Sequence, residues 1–262
     1  MLFRSCCYTA TSAWGYYLRW LRYNNKTEEL IAQVLEHDNW SVEQWKVFQE
    51  NRLDFILTRA KEKVPYYKEY WSGLRRKGDH RSPETLANWP VLSKEEVRKN
   101  PIAFLAEDCN IKEMYQDHTG GTTGTPLTIF ESRQTVQNWY AMHEARVRRW
   151  HGVSYKERWA ILGGQLIIPF EKSAPPFWIE NKGLNQLYLS SFHLKKENIA
   201  YYVKAINKFK PTHLVEYPSS ASVLAREIIN QNLEVWQPKV IFSNAEPLNT
   251  IYQEVISEAF KC

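Results

Sequence analysis

The closing stretch of the chain alternates in a way that leaves few folds open. A short apolar run, His213 to Tyr217, precedes a segment of helical spacing from Ser220 to Asn230. A second run, Lys239 to Phe242, leads through the turn SNAEPL into another helical segment, Thr250 to Phe260. Short β-branched runs separated by helix-length amphipathic segments are the pattern of βαβ units. The same alternation starts earlier, with strand-like runs Arg158 to Leu162 and Gln186 to Leu189 and a helical stripe of Ile199, Tyr202, Val203, Ile206 and Phe209. The expected fold class is therefore α/β, a largely parallel sheet flanked by helices, with ligands at the carboxyl ends of its strands.

Before about residue 110 the character differs, so the chain divides into a helical region, 1–110, and an α/β region, 111–262. Ser41 with Gln44 and Ser93 with Glu96 form capping boxes that start helices, and Val64-Pro65 and Asn100-Pro101 stop them. Between these, VPYYKEYW and the stretch around Trp89-Pro90 read as loop and turn. Near the N-terminus, Trp14, Tyr17, Leu18 and Leu21 place one apolar stripe on a helix, expected to pack on the protein itself. Lys112 to Gln116 and Leu127 to Phe130 read as strands, and a helix runs from Ser132 to about Trp150.

Composition removes several classes of function. No segment approaches the roughly 18 to 20 apolar residues of a membrane span, and the N-terminus lacks the pattern of a cleaved signal. Four cysteines form neither a disulfide framework nor a zinc pattern, so a reducing, cytoplasmic setting is expected and no metal site is read. The balance of 34 basic to 29 acidic residues is too even to point to nucleic acid, and Arg146, Arg148 and Arg149 beside Glu144 read as a solvated helix face.

Residues 118–130 read HTGGTTGTPLTIF. Glycines let backbone N–H groups converge on an anion, and threonine hydroxyls add donors, a combination suited to phosphate oxygens. A flexible turn between strands is the competing reading. The loop is not a Walker A sequence, because Gly124 is followed by Thr125 rather than lysine.

The order Thr119-Gly120-Gly121-Thr122-Thr123-Gly124-Thr125-Pro126 resembles the signature loop of adenylate-forming enzymes, departing at Gly120, where serine is usual, and at Leu127, where many members have lysine. VPYYKEYW, WPVLSKEEVRKNP, LVEYPSSASVLA and FSNAEPL, in that order, resemble the phenylacetate-CoA ligase and CapK-like (coenzyme F390 synthetase-like) branch. The resemblance implies part of the large domain of those enzymes. It implies that Thr119, Gly120, Gly121, Thr122, Thr123 and Gly124 hold the phosphates of ATP. Tyr217, Asn244, Ala245, Glu246 and Pro247 would line the adenine and acyl site.

By the same resemblance, magnesium assists, a small carboxylic acid is adenylated, and a thiol such as coenzyme A accepts the acyl group, in a pathway such as capsular polysaccharide biosynthesis. Members of the branch continue with a Tyr-Gly-x-x-Glu element, a ribose-binding aspartate and a lysine-bearing C-terminal domain, none of which occurs in this sequence. The expectation is thus a truncated, N-terminal portion, inactive alone and with no catalytic residue assigned. The alternative is a non-catalytic nucleotide-binding or interaction protein that pairs with a separate chain completing the domain.

Overall fold

The computed structural model describes residues 2–119 and 126–262, with the side chains described from residue 10 onward. In chain order the helices and strands are α1 (Leu2–Arg22), α2 (Asn25–Glu36), α3 (Val42–Lys63), α4 (Pro65–Arg76), α5 (Lys94–Lys99), β1 (Tyr115–His118), β2 (Thr128–Glu131) and α6 (Arg133–His143). They continue with β3 (Trp159–Gly163), β4 (Trp178–Asn181), β5 (Gln186–Ser190), α7 (Ile199–Phe209), β6 (His213–Glu216), α8 (Pro218–Asn230), β7 (Val240–Ser243) and α9 (Thr250–Phe260). The chain forms two compact units, one of residues 36–138 and one of residues 1–35 with 139–262.

In the first unit both capping boxes form as the sequence predicts, with Ser41 and Ser93 accepting from the backbone N–H of Gln44 and Glu96. The stretch VPYYKEYW is helical, contrary to the loop reading: Pro65 occupies the first turn of α4, where its missing N–H costs nothing. Aromatic rings hold this region together, with Tyr67 on Trp89 and Trp71 on Trp89 at centroid distances of 4.9 and 5.4 Å. β1 and β2 form an antiparallel hairpin in the register Tyr115↔Glu131 to His118↔Thr128.

The second unit contains the sheet, in the order β4-β5-β3-β6-β7. β5, β3, β6 and β7 run parallel and β4 pairs antiparallel at one edge. The α/β architecture expected from the alternation is therefore present. β4 is not announced by the sequence pattern, because it is short, follows closely on Pro175 and Pro176, and carries an exposed Glu180. One face of the sheet, carrying Ala160, Leu162, Leu187, Leu189 and Leu214, is covered by Tyr202 and Ile206 of α7, Leu224 and Ile228 of α8, and Ile256 and Phe260 of α9 in a continuous buried cluster. Each fully buried side chain of this size contributes roughly 1.5–3 kcal/mol of transfer free energy. Tyr202 meets the cost of burying its hydroxyl by donating to the Ser190 carbonyl at 2.7 Å.

α1 lies against the 181–184 turn, where two glycines permit the approach. A Cβ on Gly15 would collide with the Asn181 side chain, and one on Gly183 with the Tyr16 backbone nitrogen. Leu18 and Leu21 are buried as the predicted stripe requires, but Trp14 and Tyr17 are exposed. The helix turns its Gly15 face inward, which rotates those rings outward, where they stack at 5.0 Å.

Candidate functional site

The carboxyl ends of β6 and β7 bring together Tyr217 and the turn Asn244–Pro247, the five residues expected to line the adenine and acyl site. The Asn244 N–H donates to the Glu216 carbonyl at 3.0 Å, so the turn begins as an extension of the ladder. Ala245 then adopts a left-handed conformation at φ 62°, a costly one for a residue with a Cβ, and strain of this kind clusters at ligand-holding turns. Asn244, Ala245, Glu246 and Pro247 are all exposed.

Glu246 binds the start of α8, accepting from the Ser219 N–H and the Ser219 hydroxyl, each at 2.9 Å. Its carboxylate thus meets the positive end of α8. The following helix, α9, is capped instead by Asn249, which accepts from Tyr252 N–H at 2.9 Å. Tyr217 precedes α8 and is half-buried, and its ring lies so close over Gly164 that a Cβ there would meet Cε2 at 2.9 Å. Side-chain packing explains the small residue at 164.

Beneath this turn, Glu216 is fully buried and its carboxyl is pushed up to about 7 by burial, opposed by the Ser243 hydroxyl that donates to it and aided by the nearby charge of Glu246. Its second oxygen has no hydrogen-bond partner. Local sequence pattern does not mark this group, since a glutamate at the end of an apolar strand reads as exposed.

In the other unit, Thr119 closes the hairpin loop: its N–H donates to the Leu127 carbonyl at 3.0 Å and its hydroxyl accepts from Leu127 N–H at 3.1 Å. Gly120, Gly121, Thr122, Thr123 and Gly124 lie outside the described residues.

The opposite sheet face is built differently. Trp159, Ile161 and Val215 form one wall of a cavity of about 200 Å³ that also touches Arg19, Arg22, Tyr23, Trp139, Tyr140, His143, Arg148, Tyr155 and Asn244. Arg148 and Glu144, read from the sequence as solvated, are 4% and 0% exposed. They pair at 3.3 Å, and Glu144 also holds Arg149 at 3.0 Å. A turn of π-helix over Glu144–Arg148 directs these side chains inward, which no 3.6-residue periodicity could have predicted.

Burial holds the hydroxyls of Tyr23 and Tyr155 up at about 12. It also pushes His143 down to about 4 and His213 down to about 3, with the Arg148 charge assisting in both. Neither ring nitrogen of His213 has a hydrogen-bond partner, and the ring stacks on Trp159 at 6.0 Å. Among the described residues, no group of three His, Cys, Asp or Glu side chains could hold a metal ion, and no helix is long and apolar enough to cross a membrane.

The fold is shared with an acyl-CoA ligase. A crystal structure of 2-hydroxyisobutyryl-CoA ligase, in complex with 2-HIB-AMP and CoA, matches with a TM-score of 0.56 at 18% identity, over 84% of this chain and 48% of that one. In sequence, the chain is 29% identical over 215 residues to protein CapK of Staphylococcus aureus, covering 82% of this chain and 47% of that protein. It is 25% identical over 193 residues to the phenylacetate-coenzyme A ligase of Escherichia coli strain K12, covering 73% and 42%. No family model matches. The resemblance to the phenylacetate-CoA ligase and CapK-like branch of the adenylate-forming enzymes is borne out by these relatives, and the chain spans about half their length.

Proposed function

We propose that this chain holds nucleotide and acid for an ATP-dependent acid–thiol ligation. The observation that carries the reading is its sequence likeness, over most of its own length, to CapK and to a phenylacetate-coenzyme A ligase. In that reaction a carboxylate oxygen attacks the α-phosphorus of ATP, forming the acyl-adenylate as the bond to pyrophosphate breaks. A thiol such as that of coenzyme A then attacks the acyl carbon and AMP leaves.

The roles assigned to this chain's residues come from the family resemblance, and the geometry at the carboxyl ends of β6 and β7 supports those of the Asn244 turn. The exposed turn Asn244-Ala245-Glu246-Pro247, kept in one shape by the left-handed Ala245 and the Glu246 bonds to Ser219, offers a rigid edge beside Tyr217 for adenine and acyl group. Gly120, Gly121 and Gly124 supply backbone N–H groups to the phosphates and Thr122 and Thr123 supply hydroxyls, while Thr119 latches the loop to Leu127. No magnesium ligand is assigned. A place in capsular polysaccharide biosynthesis is what the family resemblance implies. A second reading is a non-catalytic protein that binds nucleotide without carrying out ligation itself.

The test is exchange of labelled pyrophosphate into ATP with a panel of carboxylic acids, beside direct ATP binding. Exchange that Thr123→Ala weakens by roughly tenfold or more supports ligation. ATP binding without exchange favours the second reading, and absence of ATP binding defeats both.

A further inference from the structure

The cavity on the Trp159 face has two chemically distinct ends. Asn244 lies just beyond the carboxyl end of β7, whereas Trp159 opens β3 and Leu184 precedes β5, so the cavity runs along the sheet from its carboxyl to its amino ends. The cations gather at the Trp159 end. The Arg148 guanidinium sits 5.1 Å from the Trp159 ring and donates to the Tyr23 hydroxyl at 3.2 Å. Tyr23 stacks on Tyr155 at 3.7 Å, and Arg19 lies 5.8 Å from that same Tyr155 ring. Arg22 lies 4.3 Å over Tyr140, whose ring meets Tyr23 edge-on at 5.7 Å.

These charges are not balanced locally. Around this end, Arg19, Arg22, Arg148, Arg149 and Lys156 face only two carboxylates, Glu28 and Glu144, and both are engaged: Glu28 by Arg149 and Lys156, Glu144 by Arg148 and Arg149. Arg19 and Arg22 have no carboxylate within ion-pairing distance among the described residues and rest on tyrosine rings. Arg148 is almost wholly buried, yet its Nε–H has no partner. A desolvated donor on a cation is expensive to leave unmet, so the cavity is built to receive an acceptor with negative charge. Its walls of Tyr140, Tyr155 and Trp159 suit a flat ring, and its volume suits a single one.

We infer that this cavity selects an aromatic acid bearing a second anionic group, with its reacting carboxylate at the Asn244 end and the second anion held by Arg19, Arg22 and Arg148. The inference rests on the acid-activation reading for the role of the Asn244 end. Anion recognition at the arginine end stands on geometry alone.

The experiment is calorimetric titration of the full chain, without nucleotide, with terephthalate and with 4-methylbenzoate, which has the same outline but only one charge. Terephthalate is expected to bind about tenfold or more tightly, as a charge-assisted contact at the second end requires. Arg22→Gln and Arg19→Gln should each erase most of that preference while leaving the thermal melt unchanged; the two variants guard against loss of fold in either. Equal affinities, no binding of either acid, or a preference that survives both substitutions would overturn the cavity assignment. ATP binding is measured in parallel. Terephthalate preference without ATP binding keeps the cavity and removes acid activation, and ATP binding without the preference does the reverse.

Discussion

The two faces of the sheet solve the burial problem in opposite ways. Toward α7, α8 and α9 the interior is hydrocarbon, with Glu216 as a lone carboxyl at its upper margin. Toward α1 and α6 it is aromatic and ionic, with Arg148, Glu144 and His213 sealed from water beside a cavity. Hydrocarbon packing contributes stability without reference to pH. A buried ion pair roughly breaks even when intact and becomes costly when halved, so its retention points to specificity.

The sharpest way to break the contrast is to remove one partner of the ionic face. Glu144→Leu leaves Arg148 buried without its carboxylate and is expected to cost about 3–5 kcal/mol in denaturant unfolding. Loss below 1 kcal/mol would mean that water reaches Arg148. On the hydrocarbon face, Leu224→Ala, at a fully buried position, should cost about 3 kcal/mol, with the same value at pH 5 and pH 8.

Titration separates the faces further. Glu216 is raised to about 7 in the fold from an ordinary value of 4.5, so the folded state binds its proton more tightly than the unfolded chain. Its contribution is present below the unfolded value and lost as pH rises from 4.5 through 7; Glu216→Gln should regain about 3 kcal/mol at pH 8 and flatten that slope. His213 acts in reverse, because its proton is held more weakly in the fold. Stability should fall below pH 6.5 by up to about 1.4 kcal/mol per pH unit, and His213→Phe should remove that share. A chemical-denaturation series across pH reads both. Smallest is the cap on α9, where Asn249→Ala should cost about 1 kcal/mol.

The hydrocarbon face was legible in the sequence because its signals are local. The stripe Ile199, Tyr202, Val203, Ile206 and Phe209 is buried as its spacing dictates, and β6 and β7 fall within a residue or two of the runs that announced them. The ionic face was not, since Glu144 is held by Arg148, Arg149 and the Tyr155 N–H of the loop before β3, while Arg149 also reaches Glu28 of α2, and only the folded chain brings these groups together. The turn at Asn244 is legible from the strand–helix alternation, and an adenine and acyl role for it is implied only by the family resemblance. Its attachment to α8 through Ser219 was invisible because it spans 27 residues of sequence.

The contact between Gly15 and Gly183 carries a consequence for descent. Arg19 and Arg22 lie one and two helical turns past Gly15, so the orientation of the charged wall is inherited from a clearance that a single methyl group would close. Lineages that enlarge either glycine must reseat the helix or relinquish the wall, which ties the drift of two distant segments to a single steric gap.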